Sequence, residues 1–273
     1  MSAGGSIVVR RSLGRRLRQL REKSGKKSAD VIEAGIASRA KLARIESGHG
    51  PVRMPDVRAL CWLYGVDAQT TELLVEQAMN TAEQGWWENY GDAMPSWFGM
   101  YVELESAASS LLTWDPELVH GLLQTPAYQR AVFETSPDLK PEYAERQLRL
   151  RSERQRAAFD RPKPLRLTAV IGEGTLMRQI GGPEGMAEQR NHLIEISARA
   201  HVDVWILGWS AGPHVAMKGA FSVLGFDSPD DPDVVYLETH AGGRYVEQSQ
   251  MVEEYRRMFD AIRKVSIPIE EYK

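Results

Sequence analysis

The sequence predicts a helical N-terminal domain of about five short helices, residues 1–80, followed by a mixed α+β domain, residues 100–273, with an aromatic connector between them at 81–99. Three observations predict this architecture. Apolar residues recur at helical spacing, punctuated by glycine, up to about residue 80. Charge then reverses: residues 1–60 hold fourteen Lys/Arg against five Asp/Glu, and the rest of the chain holds twenty against thirty-two. Beyond residue 160, alternating β-branched runs appear between helical segments, the pattern of a small mixed or antiparallel sheet with helices packed on it.

The head can be taken element by element. Leu13, Leu17 and Leu20 fall on one helical face with Arg15, Arg16, Arg18 and Arg21 between them, and Ser24-Gly25 ends the run. Ser28 opens a second short helix through Val31 and Ile32 that closes near Gly35. Ser38 is an N-cap residue for a third, because its hydroxyl can accept a bond from an unpaired first-turn amide. Leu42 and Ile45 share the inner face of that helix, Arg39, Lys41 and Arg44 point away, and Gly48 supplies the left-handed end. Met54 to Tyr64 gives a fourth helix stopped by Gly65, and a fifth starts at Asp67. Two short helices joined by a tight turn inside such a bundle form the helix-turn-helix arrangement. A short cationic helix presented this way suits the DNA major groove.

Groove chemistry then distributes the roles. Arginine can bond guanine twice, so Arg39 is the first candidate for base contact and Lys41 the second, while Arg44 reaches a base or a phosphate. Arg15, Arg16 and Lys27 suit the phosphate backbone. Arg10 and Arg11 are expected in a glycine- and serine-containing N-terminal arm, either a solvated tail or one entering the minor groove. A single head reads few base pairs, so the protein is expected to be a homodimer on double-stranded DNA. The acidic domain or the fourth and fifth helices are the candidate pairing surfaces.

Residues 12–65 resemble the Cro/phage-repressor (XRE-like) helix-turn-helix family, on the run from Leu13 to Gly25, on Arg44-Ile-Glu-Ser-Gly48, and on Pro55 through Val66. The resemblance implies that Arg39, Ala40 and Lys41, with Ser38 at the helix start and Arg44 one turn on, face the bases. It also implies that Lys27 and Ser28 meet a phosphate. This chain departs from the family by carrying Ser28 where glutamine is common, and Ile36 where the turn usually has glycine. The second half resembles the C-terminal domain of actinobacterial WhiJ-like regulators on Trp114, Leu118 to Tyr128, Gly172 to Leu176, Arg178, Gly181-Gly-Pro183, Ala211 to His214, Gly219-Ala-Phe221 and Val235 to Glu238. It implies a one-component transcription regulator, and it carries no catalytic activity with it.

The body is expected to begin with a helix over Tyr101–Leu112, broken at Trp114-Asp-Pro116. Helices over Pro126–Glu134 and Pro141–Phe159, a strand over Leu165–Ile171 and a helix over Pro183–Ala200 follow. Strands at Val202–Leu207, Ala220–Phe226, Val234–Glu238 and Arg244–Val246 precede a last helix, Gln248–Lys264. In the arginine-rich Pro141–Phe159 helix, Arg146, Arg149, Arg151, Arg154 and Arg156 alternate with glutamates, which favours a solvated face of weak pairs over a second DNA-contacting surface. Glu173, Arg178, Tyr236 and Glu238 are candidates for a shared cleft holding a small-molecule effector or a partner's tail. The aromatic run Trp86, Trp87, Tyr90, Trp97 and Phe98 reads as packing between domains or, alternatively, as a ligand cage.

No catalytic, metal or cofactor signature emerges. Gly172-Glu-Gly174 lacks the third glycine of a dinucleotide loop, and His192, His201, His214 and His240 are scattered without metal-ligand spacing. The single cysteine, Cys61, allows no internal disulfide and suits a reducing cytoplasm. No apolar run approaches a membrane span. The expected function is sequence-specific transcriptional regulation with a ligand- or partner-sensing C-terminal domain and no enzyme activity. The alternative is an antitoxin-like component that neutralises a small partner protein and autoregulates its operon.

Overall fold

The computed structural model describes residues 5–49, 52–79, 86–90, 94–95, 97–135, 141–227 and 231–272. The chain divides into two compact units, Met1–Glu88 and Asn89–Lys273. In the connector, residues 81–85, 91–93 and 96 lie outside the described residues. Trp86–Tyr90 forms a 3-10 turn.

The first unit contains α1 (Gly5–Lys23), α2 (Ser28–Glu33), α3 (Arg39–Glu46), α4 (Met54–Tyr64) and α5 (Ala68–Met79). Its core is the apolar set that the sequence places inward, with Leu13, Leu17, Val31, Leu42, Ile45, Val57, Leu60 and Leu74 all buried. Cys61 is buried among them, and desolvation raises its thiol pKa, so it is packing rather than a reactive site. One expectation is corrected. Arg10 and Arg11 are not in an arm: α1 begins at Gly5, and both side chains are buried in it. Arg10 donates from Nε to the carbonyl of Gly48 at 3.4 Å, where the carbonyl end of α3 favours a cation. The leucine spacing missed this extension because the buried face continues through arginines.

The second unit adds α6 (Phe98–Ala107), α7 (Pro126–Phe133), α8 (Pro141–Phe159), α9 (Glu173–Met177), α10 (Gly182–Ser197) and α11 (Ser249–Lys264). They surround strands β1 (Ser110–Asp115), β2 (Arg166–Gly172), β3 (Val202–Leu207), β4 (Phe221–Gly225), β5 (Val234–Thr239), β6 (Gly242–Val246) and β7 (Ile267–Pro268). They form one mixed sheet of order β6-β5-β4-β1-β2-β3-β7. β1, β2 and β3 run parallel, joined by helical crossovers, and β4, β5, β6 and β7 pair antiparallel. The architecture is the predicted one, a helical domain followed by a mixed α+β domain.

Within it, the helix expected over Tyr101–Leu112 is corrected. It stops at Ala107, and residues 110–115 become β1, a central strand between β4 and β2. A short apolar run buried on both faces carries no period that separates helix from strand. On one face of the sheet, Trp114, Val223 and Val235 pack with Val252, Phe259 and Ile262 of α11. Thr113, Ser222 and Tyr236 look the other way, and Tyr101 of α6 packs on Tyr236 at 4.3 Å between ring centroids.

Candidate functional site

In the first unit, local chemistry fixes the two helices that present the cationic surface. Asp30 reaches back to accept the amide of Lys27 at 2.6 Å, closing the start of α2. Gly35 adopts φ +68° at its end. The amides of Gly35 and Ile36 then bond to the carbonyls of Ile32 and Val31, at 3.0 and 3.2 Å. This is a Schellman ending, which needs a left-handed residue at the first position after the helix cap and accepts isoleucine at the second. The departure at Ile36 therefore leaves the turn closed. Ser38 caps α3 as expected from its type, its Oγ accepting from the Lys41 amide at 3.2 Å.

The candidate DNA-contacting side chains separate into two groups. Arg39, Ala40 and Arg44 are exposed, while Leu42 and Ile45 seat α3 in the core. Neither Arg39 nor Arg44 has an ionic or hydrogen-bond partner for its guanidinium among the described residues, and the same holds for the exposed Lys27 ammonium. Ser38 is exposed and Ser28 half-buried. Lys41 differs, because its ammonium pairs with Asp56 Oδ1 on α4 at 2.7 Å. Arg53, at the N-cap of α4, is a further exposed cation without a partner among the described residues. The sequence reading passed over it because it belongs to no helical pattern.

Behind this surface, Arg21 of α1 grips Glu46 at the end of α3 with two bonds, Nε–Oε1 2.6 Å and Nη2–Oε2 2.9 Å, and also donates to the Lys26 carbonyl. Hydrogen bonding to Glu46 raises the Arg21 pKa further. The glutamate of Arg-Ile-Glu-Ser-Gly is thus a brace between helices.

The second unit holds a cavity of about 620 Å³ at the carboxyl end of β1. There the strand direction reverses between β1 and β4, the position at which open sheets part their loops. Phe98, Tyr101 and Tyr236 form an aromatic wall; Asp115, His120 and Gln124 line the side near β1; Arg151 and Arg154 enter from α8. Arg154 is bonded at both ends to Glu105, Nε–Oε1 and Nη2–Oε2 each 2.8 Å, with 4% and 2% of the two side chains exposed. Its guanidinium lies 5.0 Å from the Phe98 ring centroid and 5.6 Å from that of Tyr101.

The titrating groups here are tuned by burial. Desolvation raises Asp115 to about 8, opposed only by the hydroxyl of Thr113 at 3.0 Å, so its carboxyl is largely protonated at neutral pH. Desolvation lowers His120 to about 4, and its neutral ring shares a 3.0 Å bond with the Tyr101 hydroxyl. Arg151 falls to about 9, first through desolvation and then through its neighbour Arg154.

Of the four cleft candidates, two reach this cavity. Tyr236 lines it and donates to Glu238 at 3.0 Å at its rim. Glu173 and Arg178 do not line it. The Glu173 carboxylate accepts the Trp209 amide at 2.6 Å and the Tyr272 hydroxyl at 3.2 Å, while Arg178 pairs with Glu117 on the surface. Sequence reasoning missed Arg151, Arg154, Asp115 and His120. The solvated-face expectation for α8 holds for Arg149 and Arg156, which are exposed, and is corrected for Arg154, which is buried, and for Arg151, which lines the cavity. A signal existed in α6, where Glu103 and Glu105 interrupt an otherwise apolar stretch. A buried carboxylate there requires a cation from elsewhere.

Residues 98–271, more than half of the chain, match the family described as Domain of unknown function (DUF5753). The chain belongs to the DUF5753 family. The DUF5753 domain spans all the residues that line the cavity. Residues 12–74 match a family described as Helix-turn-helix domain, which makes this DUF5753 protein a DNA-binding regulator. No curated protein and no solved structure matches it. Among the described residues, no helix is long and apolar enough to cross a membrane, and no group of three His, Cys, Asp or Glu is placed to hold a metal ion.

Proposed function

We propose that this protein is a sequence-specific, homodimeric, XRE-like transcription regulator of the WhiJ-like type, acting in the cytoplasm. In this account α3 enters the major groove, and the DUF5753 domain senses a small molecule without catalysing a reaction. The observation that carries it is the pair Arg39 and Arg44, two exposed guanidinium groups without a partner among the described residues, on a helix whose position is fixed by its cap and its buried face. Unpaired arginine on such a helix is free to bond guanine or phosphate. Arg39 reads a base, Arg44 a base or phosphate, and Lys27, Ser28 and Arg16 hold the backbone. Lys41, held by Asp56, acts by positioning α3.

Pairing through α4 and α5 is supported by their apolar exposure. Trp62 is 78% exposed, and Leu73 and Met79 are more than half exposed. Large apolar side chains exposed on neighbouring helices are candidates for such a pairing surface. A concave cavity of about 620 Å³ with an aromatic wall supports a small-molecule effector over the neutralised partner protein of the antitoxin reading.

Selection of binding sites from random duplexes by the purified protein tests this function. A twofold-symmetric motif with half-site centres about one DNA turn, roughly 34 Å, apart is expected. Recovery of unrelated sequences, held only by salt-sensitive binding, would contradict it.

A further inference from the structure

The charges around the DUF5753 cavity do not cancel. Glu105 neutralises Arg154, the Asp115 carboxyl is held protonated by burial, and the His120 ring is held neutral. Glu117 is engaged by Arg178. That leaves Arg151, half-buried in the lining, as the cation facing the cavity. Its Nη1 donates to Gln124 Oε1 at 2.9 Å and its guanidinium lies 5.7 Å from the Phe133 centroid. Among the described residues no carboxylate forms an ion pair with it, Glu105 and Glu238 acting on it only through space, and its other N–H groups have no protein acceptor. Its remaining N–H donors are open to a ligand that supplies an anionic acceptor, a charge-assisted bond stronger than a neutral one. Gly121 leaves the guanidinium its place: a side chain there would meet Arg151 Nη1, and the flexible arginine end would shift.

The rest of the cavity selects the body of the ligand. Tyr101 stacks on Phe98 at 5.3 Å and against Tyr236 at 4.3 Å, which presents a continuous aromatic wall. At the mouth stand Lys218 and Glu238, both exposed. Their opposite charges offset one another at the mouth, and the single fork of N–H donors on Arg151 matches one planar carboxylate.

We propose that the cavity binds a small organic monocarboxylate with an aryl or extended apolar body, its carboxylate on Arg151 and its body along Phe98, Tyr101 and Tyr236. This deepens the sensing role proposed above and rests on it for its biological use, though not for binding itself. A volume of about 620 Å³ accommodates a molecule in the size range of common metabolites.

Calorimetric titration of the full chain with phenylalkanoates, from phenylacetate to 6-phenylhexanoate, and with their uncharged amides tests it. At least one acid is expected to bind, with its amide weaker by tenfold or more. Arg151→Gln should erase that preference, and Tyr236→Leu should weaken acid and amide together. Absence of binding by every acid at millimolar concentration, equal affinity of the wild type for acid and amide, or competition by inorganic phosphate as effective as by the acid would overturn the assignment. The acid–amide comparison stands on the wild-type protein even if Arg151→Gln fails to fold. DNA affinity measured with saturating acid separates the two layers: unchanged DNA binding beside intact acid binding removes the sensing role and leaves the site.

Discussion

Arg154→Met is expected to destabilise the DUF5753 domain by about 3–5 kcal/mol, because it leaves the Glu105 carboxylate buried without its partner. Both side chains are nearly inaccessible, and the pair is closed by two 2.8 Å bonds. The arginine also covers the faces of Phe98 and Tyr101, so its loss loosens the aromatic wall as well. Replacing both partners, Arg154→Met with Glu105→Met, should recover much of the loss, since the desolvation cost of the orphaned charge disappears with it. Guanidinium-chloride unfolding of the single and double variants measures this. A single-variant cost under about 1 kcal/mol, the range of exposed pairs, would mean that the pair is not buried as described.

Glu46→Ala has the second-largest expected effect. It removes both acceptors of the Arg21 fork, at a cost of about 1.5–3 kcal/mol for hydrogen bonds to a charged group in a partly buried site. Because Glu46 ends α3, the loss falls on the junction between α1 and the helix that carries Arg39 and Arg44. Hydrogen exchange over α1 and α3 should accelerate while exchange in the sheet of the second unit stays unchanged. Equal protection of α3 in variant and wild type would show that Leu42 and Ile45 alone hold it.

How much of this was legible in the sequence depends on how local each signal is. Every determinant of α3 lies within eleven residues, in the Ser38 cap, the Leu42–Ile45 spacing and the Gly48 stop, so the helix could be read directly. The Lys41–Asp56 pair joins residues fifteen apart and could not. Arg10 and Arg11 defeated the polarity rule by being buried against the end of α3. In the body, β1 was hidden because a strand covered on both faces has no alternation. The cavity gathers side chains from α6, the loop after β1, α8 and β5, a convergence that only the sheet order creates. Tyr236 and Glu238, polar residues on an apolar strand, lie at the cavity, whereas Glu173 and Arg178 lie near each other in sequence and are turned to other partners.

The central claim is that the exposed face of α3 reads base sequence. Repeating the binding-site selection with Arg39→Ala and, separately, Lys41→Ala tests it most directly. Arg39→Ala should relax the preference at one base pair in each half-site and weaken binding by about 1–3 kcal/mol. Lys41→Ala should keep the motif and lose affinity evenly. An unchanged motif and affinity with Arg39→Ala would contradict the claim.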